Sequence, residues 1–270
     1  MVDTSGSMGG IAIAQARDSV SRALQQLRPE DRFNIIEFNS THRALYRRPV
    51  PATRHHVQRA QEFVRQLQAT GGTEMLPALR AALASQQETD VLEEQLALRQ
   101  VIFITDGAVG NEVALFEEIS ARLGSSRLFT VGIGSAPNSW FMREAAKFGR
   151  GTHVHIGKVE EVEQKMVALF EQLARPLATD LHIAWPGPVE AWPERTPDLY
   201  AGQPLLVAVN FGNAPPQGEV TVSAQLDGKS WARTLVAGNG ADPLAIAQHK
   251  GVASLWGRQK IAALLDQIPR

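Results

Sequence analysis

"QVIFITDGAVGNEVALFEEISARLGSSRLFTVGIG" (100–134) is the stretch that decides the fold. Its first six residues, "QVIFIT", lack the apolar–polar alternation of a half-exposed strand, so both faces of that strand must be covered. A helical pattern, "NEVALFEEISARL" (111–123), follows, and then a second apolar strand, "LFTVGIG" (128–134). The same alternation extends in both directions. Upstream lie a helix at 11–27, a strand "DRFNIIEF" (31–38) with "ALYRRPV" (44–50) as its extended neighbour, and a helix at 54–69. That helix puts Val57, Ala60, Phe63, Val64 and Leu67 on one face, and another helix follows at 76–87. Downstream come a helix at 139–149, a strand "THVHI" (152–156) and a helix at 159–174. This order predicts an α/β fold over residues 1–175, a doubly wound and mainly parallel sheet with helices on both faces.

The pattern changes at "RPLATD" (175–180). Beyond it are β-rich runs at 181–185, 204–211, 219–226 and 231–238, with an Asp-Gly turn signal in "LDGKS" (226–230). They predict a small β-rich module over 176–250. A C-terminal helix over 251–270 follows, with Ile261, Leu264, Leu265 and Ile268 on one face.

With 270 residues and 44% hydrophobic content the chain can bury a sizeable core. Its net charge of -1 argues against nucleic acid as a partner. No apolar run reaches the roughly 18 residues of a membrane span. Cysteine is absent, which excludes disulfides and thiolate metal sites.

In open α/β sheets ligands bind beyond the carboxyl ends of the strands. Three polar loops fall there. "VDTSGSM" (2–8) offers Asp3, Ser5 and Ser7 on a loop leading to the first helix. "TGGTEM" (70–75) places Thr73 before another helix, and "FITDGAVGN" (103–111) places Asp106 just past the most apolar strand. Each loop alone also reads as a cap or turn. Together they make a set of two carboxylates and three hydroxyls, without thiol or imidazole. Hard divalent cations prefer such oxygens, magnesium first, with manganese or calcium as substitutes. Few carboxylates leave a coordination position open for an outside oxygen.

The residues D-T-S-G-S at 3–7, with Thr73 and Asp106, resemble the metal-ion-dependent adhesion site of von Willebrand factor type A domains. "RPEDRFNIIEFN" (28–39), "ATGGTEMLPAL" (69–79) and "LFTVGIGSAPNSWFMREAAKFGRGT" (128–152) are similar to inter-alpha-trypsin inhibitor heavy chains and their bacterial relatives, the marine proteobacterial sortase target proteins. The resemblance implies a Rossmann-like A domain followed by a β-rich segment and a helix. It implies that Ser5, Ser7 and Thr73 are hydroxyl ligands, and that Asp3 and Asp106 hold the metal or its waters. It further implies a non-enzymatic adhesion or protein-interaction module whose partner supplies an exposed Asp or Glu, in a cell-surface or secreted protein. The family's N-terminal vault-type domain and C-terminal sorting motif do not occur in this chain.

Two other readings follow from the residues. Asp3 and Asp106 as an acid–base pair would make a hydrolase, although the glycine-flanked serine motif of hydrolases is absent around Ser5 and Ser7. A scaffold serving a separate ATPase is the other, since no Walker A motif occurs here. His55 and His56 are adjacent and cannot share a helical face, so they read as solvated surface. His153 and His155 share one side of a strand but have no evident third ligand. "GIGSAP" (132–137) is a weak nucleotide signal, and Trp185, Trp192 and Trp231 read as packing residues.

Asp3 is expected at the carboxyl end of a central strand flanked by the strands at 31–38 and 100–105. Such strands run about five or six residues, yet only Met1 and Val2 precede Asp3. The expectation is a fragment or a late start, with the strand and a vault-type domain continuing upstream.

Overall fold

The computed structural model describes residues 1–84, 98–107, 111–134, 138–174, 177–194, 196, 198–200, 204–212, 218–226, 229–237 and 250–266. The chain divides into two compact units, Met1–Glu171 and Gln172–Arg270.

The first unit is built on a six-stranded sheet. Its strands are β1 (Val2–Asp3), β3 (Ile36–Phe38), β4 (His42–Ala44), β6 (Gln100–Thr105), β7 (Arg127–Ile133) and β8 (Arg150–Ile156), in the spatial order β4-β3-β1-β6-β7-β8. Five strands run parallel, and β4 is an antiparallel edge strand hairpinned to β3. The helices are α1 (Ile11–Gln26), α2 (Arg54–Arg65), α3 (Met75–Ala84), α4 (Glu112–Arg122), α5 (Ser139–Phe148) and α6 (Val162–Leu173). The doubly wound, mainly parallel α/β fold expected from the alternation is therefore present.

Both faces of the sheet are covered, which is why its central strands read as continuous apolar runs. All seven residues of β7 are buried. On one face Phe38, Val101, Phe103 and Leu128 pack with Leu79 and Leu83 of α3, Leu115 and Ile119 of α4, and Phe141 and Met142 of α5. Phe129 of β7 is also wholly enclosed. Burying a side chain of this size contributes about 1.5–3 kcal/mol.

The expected strand 31–38 is interrupted. Arg32–Phe33 (β2) pairs instead with Val50–Pro51 (β5), and only Ile36–Phe38 joins the main sheet. Asn34 makes the break: its Oδ1 accepts from Ile35 N and Tyr46 N, and its amide donates to Tyr46 O. A side chain that supplies these bonds replaces the strand ladder at that point. The extended segment 44–50 is likewise split between β4 and β5.

β1 lies between β3 and β6, the neighbours expected for it. It comprises two residues, and the Met1 ammonium donates to Ile102 O at 2.7 Å while Met1 O accepts from Ile104 N at 3.0 Å.

The second unit contains a four-stranded antiparallel sheet in the order β11 (Leu199–Tyr200), β9 (Leu177–Ala184), β13 (Gly218–Leu226), β14 (Lys229–Ala237). A separate pair is formed by β10 (Glu190–Trp192) and β12 (Ala208–Asn210), and α7 (Lys250–Asp266) packs on that pair. Trp256 Nε1 donates to Glu190 O at 3.2 Å, and Lys260 Nζ pairs with the Glu190 carboxylate at 2.6 Å. Of the apolar face expected for this helix, Ile261 and Leu264 are 59% and 43% exposed. Among the described residues Trp256 and Lys260 tie the helix to Glu190, polar contacts that apolar periodicity does not register. Trp192 is buried and Trp185 packs edge-on against Phe211, whereas Trp231 is exposed on β14 rather than packed. Residues 85–87, 227–228 and 268, on which parts of the sequence reading fall, lie outside the described residues.

Candidate metal centre

The chain crosses from β1 through α1 to β3 on one side and later returns to β6 on the other. The carboxyl ends of β1 and β6 therefore form the switch point of the sheet, where doubly wound folds bind ligands. Asp3 ends β1, and Asp106 follows the last residue of β6.

Asp3 is fully buried. Its Oδ1 accepts from Ser5 N at 2.8 Å, and its Oδ2 accepts from the Thr105 hydroxyl at 2.6 Å. Burial raises its pKa above the ordinary aspartate value, and the Asp106 charge adds to the rise. Hydrogen bonds from Thr105 and Ser5 oppose it. A buried carboxylate next to a second one is a site short of positive charge.

The Ser5 and Ser7 hydroxyl oxygens lie 3.0 Å apart, with Ser5 buried and Ser7 exposed. Two oxygens at right angles around a magnesium at 2.0–2.1 Å stand about 2.9 Å from one another. The pair thus has the spacing of two neighbouring ligands of a small octahedral cation. The donor set fits as well, since it consists of hydroxyl and carboxylate oxygens with one side open to solvent at Ser7.

Thr73 lies half-buried on a loop held at the same end of the sheet. Gly6 N donates to Gly71 O at 3.0 Å, and Thr70 N to Thr4 O at 2.8 Å. Gly72 N donates to the Ser40 hydroxyl at 2.8 Å, and Glu74 N to Asn39 O at 2.7 Å. Gly71 is required there: its φ is +74°, and a Cβ would stand 2.7 Å from Ser40 Oγ. Asp106 is half-buried and its carbonyl accepts from Asn138 N at 3.3 Å. Gly107 makes that approach possible, with φ +78° and Asn138 N 2.8 Å from where a Cβ would be.

All five sequence-predicted residues therefore come from one end of the sheet, Asp3 from the last position of β1 and the other four from loops. Asp3, Ser5 and Ser7 are tied together directly, Asp106 acts on Asp3 through its charge, and Thr73 is carried in by the bonds on either side of it. Among the described residues no three His, Cys, Asp or Glu side chains cluster; the set depends on hydroxyls. The sequence reading missed Thr105, whose hydroxyl donates to Asp3 and accepts from Gly107 N at 3.0 Å. Its signal was a hydroxyl at the last buried position of an otherwise apolar strand. Asn138 was also missed; it caps α5 and donates to Glu112 Oε1 at 2.7 Å. His153 and His155 lie on β8, where His153 Nδ1 stands 3.0 Å from the Thr130 hydroxyl.

A family model described as "von Willebrand factor type A domain" matches residues 1–155. Human inter-alpha-trypsin inhibitor heavy chain H4 is 29% identical over 249 residues, 85% of this chain and 25% of that protein. The chain spans about a quarter of the length of the curated relatives it matches. Among solved structures, a von Willebrand factor type A protein from Catenulispora acidiphila superposes with a TM-score of 0.65 at 19% identity, covering 97% of this chain and 71% of that one. The manganese-loaded TRAP protein of Plasmodium vivax superposes with a TM-score of 0.50 at 17% identity, covering 87% and 91%.

Proposed function

Because the chain belongs to the von Willebrand factor type A domain family, a family of metal-dependent adhesion and protein-interaction modules, we propose that it binds a protein partner through a divalent cation held by Asp3, Ser5, Ser7, Thr73 and Asp106. The observation that carries this reading is the Ser5–Ser7 oxygen pair at 3.0 Å beside the buried Asp3 carboxylate. Magnesium is the expected ion, with manganese or calcium as substitutes; manganese is the metal in the TRAP structure. The bound cation supplies a Lewis-acidic position that an outside carboxylate can reach. Ser5 and Ser7 supply neutral oxygens, which leave that position attractive to an anion. Asp3 is buried and bonded at both oxygens, so it serves to orient the loop through Ser5 N–H. That environment suits binding better than proton transfer, and we take the module to be non-catalytic. The partner side chain is an exposed Asp or Glu. A cell-surface or secreted setting for the whole protein is part of the same proposal.

Calorimetry with magnesium and manganese is the test. One site in the wild-type chain, lost in Asp106→Ala and weakened in Ser7→Ala, is the expected result. Equal metal binding by wild type and Asp106→Ala refutes the assignment. Partner capture that persists in chelator moves the interface elsewhere.

A further inference from the structure

The loop that follows β6 carries a chemical liability at a point where the fold leaves no choice of residue. Asp106 is followed by Gly107, whose φ is +78°, with Asn138 N 2.8 Å from where a Cβ would be. A side chain there would be strained and would meet backbone, so position 107 accepts glycine alone. The aspartate at 106 therefore stands in an Asp-Gly pair. In such a pair an aspartyl residue rearranges most readily, because no side chain shields the amide nitrogen that follows it. The chain has one other such pair, Asp227–Gly228.

The rearrangement loses one water and then takes one up. The Gly107 nitrogen bonds to the side-chain carboxyl carbon of Asp106, and the carboxyl OH leaves with the amide proton as water, closing a succinimide ring. Water then adds at the main-chain carbonyl carbon of Asp106 and breaks its bond to the Gly107 nitrogen. The product is isoaspartate: the backbone now runs through the side-chain carbon and is one atom longer, and the free carboxylate sits on the former main-chain carbon. Ring closure requires the peptide unit between Asp106 and Gly107 to turn and its nitrogen to give up a proton.

Both polar atoms of that peptide unit are held. The Asp106 carbonyl accepts from Asn138 N at 3.3 Å, and Gly107 N donates to the Thr105 hydroxyl at 3.0 Å. Thr105 is itself fixed, since its hydroxyl is wholly buried and donates to Asp3 Oδ2 at 2.6 Å. With its one proton committed to that carboxylate, the hydroxyl presents only lone pairs to Gly107 N–H. We propose that Asp106–Gly107 is a latent isoaspartate modification site, and that the Thr105 hydroxyl keeps it unconverted by holding the Gly107 proton. The longer backbone of isoaspartate moves the carboxylate at 106 away from the end of β6, so conversion weakens the metal site. That consequence rests on the reading of the site as a metal centre; the conversion itself does not.

The test incubates the full chain in chelator, well below the melting transition of every variant. Isoaspartate at 106 and at 227 is read by peptide mass spectrometry after digestion with a protease that cuts before aspartate and not before isoaspartate. Thr105→Val should convert at 106 about tenfold faster than wild type, the rate factor of one such hydrogen bond, with the rate at 227 unchanged. Thr105→Ser keeps the hydroxyl and should convert at the wild-type rate. Gly151→Ala controls for loosened structure, because a Cβ there would stand 2.2 Å from Leu128 O and the variant leaves the Thr105 bond in place; it should also convert at the wild-type rate. Equal rates at 106 in wild type and Thr105→Val overturn the proposal. So does a rise in Gly151→Ala that matches the rise in Thr105→Val, since general loosening would then be the cause. Calorimetry with magnesium reads the consequence separately: the converted chain should bind more weakly, and equal binding overturns the metal assignment of Asp106.

Discussion

Replacing Thr105 with valine removes one hydroxyl and keeps the shape of the side chain. That hydroxyl is fully buried, donates to Asp3 Oδ2 at 2.6 Å and accepts from Gly107 N at 3.0 Å. Two losses add. A hydrogen bond to a charged group contributes about 1.5–3 kcal/mol, and a buried N–H left without an acceptor costs about 1–3 kcal/mol. The sum is roughly 2.5–6 kcal/mol, a large share of the roughly 5–15 kcal/mol that holds a domain together. For a unit of this size each kcal/mol moves the melting temperature by about 2–4 °C, so Thr105→Val should melt at least about 5 °C below wild type. Thr105→Ser restores the hydroxyl and should recover most of the loss. Asp3→Asn removes the charge that Thr105 serves, so the cost of Thr105→Val should shrink by about 1.5–3 kcal/mol in that background. The assay is thermal and urea denaturation of the five chains, wild type, the three single variants and the double variant, in chelator, followed by circular dichroism and fluorescence. Full stability of Thr105→Val, or strict additivity with Asp3→Asn, refutes the hydrogen-bonded architecture described for the site.

Three further outcomes follow from the same geometry. A saturating divalent cation at about 100 times its dissociation constant should stabilise the chain by about 2.7 kcal/mol; a melting temperature that ignores magnesium and chelator alike refutes the site. His153 has a pKa below the ordinary histidine value, through burial first and the Arg143 and His155 charges after it, with hydrogen bonding at Thr130 opposing. The unfolded chain therefore takes up the proton first, so stability is full above about pH 6.5 and falls as pH drops through the lowered pKa; His153→Gln should flatten melting temperature against pH in that window, and an unchanged slope counts against it. At Gly151 a Cβ would stand 2.2 Å from Leu128 O, so Gly151→Ala must push β8 from β7 and should cost about 1–3 kcal/mol in urea denaturation; a variant of wild-type stability shows that the two strands adjust freely.

The family resemblance and the layered α/β fold were legible because both are written in short-range pattern. Continuous apolar runs at 100–105 and 128–134 mean strands covered on both faces, and helical periodicity between them means a crossover. The Asp3, Ser5 and Ser7 cluster is local too: Ser5 N reaches Asp3 across two residues, so its loop geometry is nearly intrinsic to the segment. What the sequence alone did not reveal depends on contacts between distant positions. Thr105 lies 102 residues from the carboxylate it serves. Asn34 ends one strand because Tyr46, twelve residues on, happens to meet its amide. Ile261 and Leu264 are exposed on a helix that Trp256 and Lys260 tie to Glu190, contacts that apolar periodicity does not encode. Local pattern determines which face of an element is apolar and which loops carry oxygen donors. Only the tertiary structure decides which donors share a site and which buried hydroxyl compensates an enclosed charge, because those energies arise between segments that the chain's own spacing leaves uncorrelated.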